Sequence, residues 1–315
     1  MKRISSDRGQ AAVITILFLA TLLGGVAMVL DVGSWFREQR DTQSDADAAA
    51  LAAAQALPEE VGTATGYASQ YLDKNGAGAG REITFSKFVT PNDTVTVRVN
   101  RDAPGIFSKL FGIASVNVHA SATARAGGMN AAKWVAPIVV NISHPDLNCG
   151  NANGKPVPCF GKDTQIDLAH LHKPGSGTAA GAFSLINLEA NNTGNIGATT
   201  IADWIVTGYD QYMELGNYNS APSTLWNDSH VRNAMANRID GDPVLLFPIY
   251  DRITGSGSTA EYHVVGWVAF HVTSFSADGS TGKVEGSFEH VIWEGIQSQS
   301  GNNLNYGTTT IELVE

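Results

Sequence analysis

Side chains able to do chemistry are few in this sequence, and they are scattered. His170 and His172, in "LAHLHKPG", share one face if that stretch is a strand, as two metal ligands would. His263, His271 and His290 fall in other alternating stretches. None has a cysteine or carboxylate at tight ligand spacing, so partly buried or surface histidines are the simpler reading. Cys149 and Cys159 stand in "NCGNANGKPVPCF", and no further ligands follow at the tight spacing a metal site needs. A disulfide closing that short Gly-, Asn- and Pro-rich loop is expected if the segment is exported. Asp240 and Asp242, in "RIDGDP", look like paired carboxylates, but the adjacent Gly and Pro favour a solvated turn. No G-x-S-x-G elbow and no G-x-x-x-x-G-K-[ST] loop occurs. The expectation is a non-enzymatic protein with no catalytic residue, no metal site and no cofactor.

What, then, would these residues be mounted on? The chain has 315 residues, enough for two domains beyond a membrane anchor, and 33 glycines that favour strands and turns after residue 60. Its formal net charge of −10 is unevenly placed. Residues 1–128 hold 12 basic and 12 acidic side chains, whereas residues 129–315 hold 8 and 18. The acidic C-terminal portion would be repelled by nucleic acid and by anionic lipid, so nucleic acid is not an expected partner.

The N-terminal stretch is the most informative. Ala11 to Leu30 is uncharged and apolar, twenty residues, about what a helix needs to cross a hydrocarbon core. Lys2, Arg3 and Arg8 precede it and Asp31 follows, which puts the N-terminus in the cytoplasm and the rest outside it. Small residues in "GGVAM" (Gly25, Ala27) fit a signal-peptide cleavage site, but the apolar run exceeds the roughly 7–15 residues of a signal core. Retention in the membrane is expected. Beyond Asp31 no Pro or Gly interrupts Ser34 to Leu57, and eight of the eleven residues from Ala46 to Ala56 are alanine. Ala46, Ala49, Ala50, Ala53 and Leu57 follow helical spacing and form a smooth apolar face suited to close packing. Gln43 and Asp47, four apart, share a face and can meet. Ala48 and Ala52 are expected on the opposite, less sensitive side.

Taken together, Arg8-Gly9, the apolar span, Asp31-Val32-Gly33, Trp35, Arg40, Gln43 and the block Asp47-Ala48-Ala49-Ala50-Leu51-Ala52-Ala53-Ala54 resemble the N-terminal segment of TadG-like proteins of the tight-adherence (Flp) pilus system. The resemblance covers about fifty residues. It implies a single-pass protein of the bacterial inner membrane with an extracytoplasmic C-terminal domain. The role it implies is that of a minor pseudopilin or an assembly or anchoring factor. Expected partners are other pilus components: pseudopilins, a secretin or the inner-membrane platform. Type IV prepilins are cut after a Gly and carry Glu at the fifth mature position; counted from Gln10 that position is Ile14, so no cleavage after Gly9 is expected. Some TadG-like proteins hold a metal in a D-x-S-x-S motif, but "DGSTG" at Asp278 lacks the second Ser.

The expected architecture is α+β. Residues 1–10 form a cytoplasmic N-terminus and 11–30 the transmembrane helix. Residues 31–128 carry its continuation and a pilin-like α+β head, and 129–315 an exported, mostly β domain. In the head, a helix over 59–75, a hairpin with strands at 83–89 and 94–100, a short amphipathic helix "GIFSKLFGI" and a strand "SVNVHASATARAG" are expected. In the exported domain "KWVAPIVVNI" is a strand candidate, and helices are expected over 198–213 and at "DSHVRNAMANRI". Two other readings stay open: a membrane-anchored domain that is hydrolytic or metal-binding through the histidines, or one that binds glycans.

Overall fold

One helix, α1 (Asp7–Ala54), carries the chain through its first 48 described residues, about 72 Å at 1.5 Å per residue. The computed structural model describes residues 7–76, 80–152, 155–168, 184–189, 196–255, 260–278, 281–299 and 306–314. Along the first half of α1 the apolar side chains face outward; Ile16, Phe18 and Met28 are examples. Two hydroxyls in this stretch are satisfied internally, Thr15 by the Ala11 carbonyl at 2.9 Å and Thr21 by the Leu17 carbonyl at 2.8 Å. A span in lipid needs that self-sufficiency. This is the one described helix long and apolar enough to cross a membrane, by length and composition.

From Asp31 onward the same helix becomes the buried spine of a folded unit. The chain divides into Met1–Arg125 with Leu313–Glu315, and Ala126–Glu312. In the first unit α1 is followed by α2 (Val61–Lys74), β1 (Arg81–Ser86), β2 (Thr94–Pro104), a 3₁₀ turn at Ser108–Phe111 and β3 (Ser115–Gly127). The strands pair antiparallel, with Phe85 opposite Val95 and Val97 opposite Ala122. Val95, Val97 and Val99 of β2 and Ala120, Ala122 and Ala124 of β3 are buried, at period two, while α2 buries Ala64, Ala68 and Leu72 at period four. Both α2 and β2 pack on α1.

That double cover widens the buried arc of α1. Ala46, Ala49, Ala50, Ala53 and Leu57 are buried, and so are Ala52 and Ala54. At 100° per residue these positions span roughly 200° of the helix. Ala52 therefore does not lie on an insensitive face as its spacing suggested; of the two control positions only Ala48 is half-buried. The helix also stops earlier than Leu57. Gln55, Ala56 and Leu57 donate back to the carbonyls of Ala52, Ala53 and Ala54, a tightened last turn, and Pro58 has no N–H with which to continue.

The turn between β1 and β2 is organised by a residue that sequence reading passed over. Asp93 is buried, and its carboxylate accepts from the N–H groups of Phe88, Val89 and Thr90 at 2.6–2.7 Å and from the Thr94 hydroxyl at 2.9 Å. Burial opposes its charge, but these four donors outweigh it and hold the carboxyl below the usual range.

The second unit is built on a mostly antiparallel sheet. Its smaller early strands are β4 (Met129–Ala132), β5 (Val140–Asn141), β6 (Gly150–Ala152), β7 (Lys155–Val157) and β8 (Thr164–Asp167). Then come α3 (Ala198–Thr207), β9 (Met213–Glu214), β10 (Gly216–Asn219) and α4 (Ser229–Asp240). The large strands are β11 (Val244–Thr254), β12 (Glu261–Asp278) and β13 (Thr281–Glu289), and the chain closes with β14 (Val291–Ile292), β15 (Gly295–Gln297) and β16 (Thr308–Val314). The main sheet runs β5-β11-β12-β13-β8, with β10 also on β12. Phe247 and Phe270 stack at 5.4 Å, and Phe270 meets Phe288 edge-on at 5.1 Å, forming an aromatic line across β11, β12 and β13.

Two expectations for this unit needed revision. "KWVAPIVVNI" yields only the short β5, because Pro137 lacks a donor and the segment shares its bonds among several neighbours: Ala136 with Leu246, Val139 with Ser184, Ile142 with Tyr250. The helix expected over 198–213 ends at Thr207. Gly208 has φ of +79°, and a Cβ there would lie 2.6 Å from the Trp134 backbone, so the chain turns where only glycine fits.

Candidate functional site

A row of side chains on α1 spaced by four residues holds the first unit to its helix. The row starts at Asp31 and runs through Trp35, Gln39, Gln43 and Asp47. Asp31 is buried, and its carboxylate accepts from Ile106 N at 3.0 Å, Phe107 N at 3.0 and 3.2 Å and Ser108 N at 2.6 Å. Trp35 Nε1 donates to the Pro104 carbonyl at 3.3 Å. Gln39 Nε2 donates to the His119 carbonyl at 2.6 Å, and Gln43 Nε2 to the Ser121 carbonyl at 3.2 Å. Gln43 Nε2 also donates to Asp47 Oδ1 at 2.8 Å, the pairing their spacing suggested. A step of four residues turns roughly 40° round a helix, so the row winds as it climbs.

Arg101, on β2, makes a second tie. Its guanidinium lies 2.6 Å from Asp45 Oδ2 and 3.7 Å from Glu38 Oε1, both on α1, and donates to the Asn75 carbonyl at the end of α2 at 2.9 Å. One fork-shaped cation thus joins helix, helix and strand, a geometry that suits arginine and not lysine. Below these polar ties lies the alanine face, with Ala50 and Ala53 fully buried and Leu57 at its end. Small side chains let sheet and helix approach closely, and the long polar side chains fix their register.

Arg8 and Gly9, expected to flank a membrane span, fall at the start of α1. Residues 9–56 match the model of a family described as "Putative Flp pilus-assembly TadE/G-like". The TadE/G-like segment therefore covers the apolar half of α1 and the alanine half alike, together with the whole row from Asp31 to Asp47. The match supports involvement in Flp pilus assembly. None of the curated proteins and none of the solved structures compared with the chain gives a significant match.

In the second unit Cys149 and Cys159 form a disulfide, with Cα atoms 5.2 Å apart. Asp146 stands beside it, with its carboxylate paired to Lys162 Nζ and accepting from Thr164 Oγ1 at 3.1 Å. The Lys162 bond, opposed by partial burial and helped by Thr164, holds the Asp146 carboxyl below its ordinary range. Asp146, Cys149 and Cys159 are the one described trio of metal-type ligands that converges. Both sulfurs are bonded to each other and neither is a thiolate, so the trio does not fit a metal.

The remaining candidates do not come together. His170 and His172 lie outside the described residues. His263 Nδ1 meets Asp251 at 2.7 Å, His271 Nδ1 meets Glu289 at 3.2 Å, and the His290 ring leans on Phe160 at 4.7 Å between centroids. Asp240 ends α4 and Asp242 follows, its side chain 75% exposed and 3.6 Å from Arg238.

Proposed function

We propose that this protein is a non-enzymatic, single-pass component of Flp pilus assembly, acting as a minor pseudopilin or as an assembly and anchoring factor. The observation that carries the reading is the continuity of α1. Its first half is apolar and uncovered, and its second half is the buried spine of the first unit. The TadE/G-like segment spans both. A long helix running from lipid into a small helix-plus-sheet unit is the pilin plan, in which a head is carried on a membrane rod.

In this reading the N-terminus stays in the cytoplasm and both units are extracytoplasmic, because the basic residues precede the span. The disulfide fits an oxidising compartment. The second unit is the part that meets another pilus component, a pseudopilin, the secretin or the inner-membrane platform. The protein works by anchoring and docking, without turnover.

A C-terminal alkaline phosphatase fusion is expected to be active and to stay with membranes through carbonate extraction. N-terminal sequencing from cells with active prepilin peptidase is expected to find no start at Gln10. A soluble product beginning near Met28 would replace the anchor with a signal peptide, and an inactive fusion would reverse the orientation.

A further inference from the structure

We propose that the turn Gly105–Ile113 is a second membrane contact, laying its apolar tip into the interfacial layer of the bilayer from which α1 emerges. The inference rests on the membrane-anchor reading of α1.

The sequence "GIFSKLFGI" has the look of an amphipathic helix that would bury one face. The structure forms a single 3₁₀ turn there with no buried side chain. Leu110 is 83% exposed and Phe111 76%, and Ile106 and Ile113 are exposed beside them. Four large apolar side chains on one short turn are a costly surface to leave in water.

Its position in the fold says what covers it. Asp31 is the first residue after the apolar span, and its carboxylate grips the N–H groups of Ile106, Phe107 and Ser108. The turn is therefore pinned within about one helical turn, roughly 5 Å, of the end of the hydrophobic segment. The headgroup layer outside each face of the hydrocarbon core is itself about 5–8 Å thick. Trp35, tied to Pro104 at the base of the turn, and the exposed Phe36 complete a belt of aromatic side chains at that level.

The backbone of the turn is also prepared for a poorly hydrated place. Besides the three donors held by Asp31, Gly105 N bonds the Ala114 carbonyl at 2.9 Å and Leu110 N the Phe107 carbonyl at 3.0 Å. Gly112 N bonds Lys109 O, and Ile113 N bonds Ser108 O, both at 3.1 Å. Most of its N–H groups thus need no water. Gly105 permits this compact form, since a Cβ there would run into Ser108 Oγ and the Ile113 carbonyl. Lys109 is exposed between the apolar side chains, with a stem long enough for its ammonium to reach lipid phosphates.

The test uses the full chain in nanodiscs of phosphatidylethanolamine and phosphatidylglycerol, with Leu110→Cys carrying an environment-sensitive fluorophore. The two native cysteines are paired, so the label is unique. Ala20→Cys reports the span. Lys87→Cys reports the far end of the first unit, as β2 extends about 33 Å from Pro104 to Thr94. Expected is emission from position 110 that is blue-shifted, quenched several-fold by lipid carrying a doxyl group near the glycerol, and protected from aqueous iodide. Position 87 should give the reverse. If position 110 is as open to iodide as position 87 while position 20 is quenched by deep doxyl lipid, the anchor stands and this proposal falls. If position 20 is also aqueous, the anchor reading itself fails and takes the proposal with it. Protection at position 110 in cells but not in nanodiscs would mean that a protein covers the turn, and would overturn the lipid assignment.

Discussion

Arg101→Ala is expected to destabilise the first unit by about 2–4 kcal/mol, the largest single-residue effect we anticipate. Its side chain is 13% exposed and that of Asp45 16%, so truncation leaves a carboxylate with little water and without its arginine. Glu38 loses its nearby cation and the Asn75 carbonyl its donor in the same step. The loss is placed below that of a fully buried pair because water still reaches both edges. Arg101→Lys should recover only part of it, since one ammonium cannot reach three acceptors set in a fork. Hydrogen exchange of residues 94–104 in the nanodisc-bound chain reads this directly. A variant with parental exchange there would mean that the ion pairs are solvated and contribute nothing.

Enlarging the alanine face comes next. Ala50→Leu or Ala53→Leu adds three carbons where neither residue has any exposed surface, and overpacking of that kind costs about 1–3 kcal/mol. For a unit of this size that lowers the melting temperature by on the order of 5–15 °C. Ala52→Leu belongs in the same class, because Ala52 is buried where both α2 and β2 pack on α1. Ala48→Leu should cost much less. If Ala50→Leu melts like the parent but pili fail to form, the face serves an intermolecular contact. If neither changes, the alanines serve only as good helix formers.

Local periodicity explains which parts of this fold were legible. The apolar run, the alanine spacing and the alternation in β2 are properties of adjacent residues, and all three survive in the structure. The Gln43–Asp47 bond was readable because both ends lie on one helix. Asp31 was legible only as a charge ending the span; its partners at 106–108 are some 75 positions away, and no local pattern joins them. Arg101 was invisible for the same reason, with its acceptors on two other elements. Gln39 was overlooked although it sits four residues from both Trp35 and Gln43, and the row Asp31, Trp35, Gln39, Gln43, Asp47 was there to be counted. "GIFSKLFGI" has the apolar content of a short amphipathic helix but forms only a 3₁₀ turn, with Leu110 and Phe111 exposed. The strand β16 pairs parallel with the two-residue β14, a pairing that no local hairpin pattern marks.

The central claim is that the chain is a membrane-anchored, non-enzymatic part of Flp pilus assembly, and piliation of a deletion strain tests it most directly. Electron microscopy should find the surface pili lost or sharply reduced when the gene is removed. They should return with the full chain, and with a variant in which His263, His271 and His290 are all replaced, but not with a chain lacking residues 1–30. Normal piliation in the deletion strain would contradict the account.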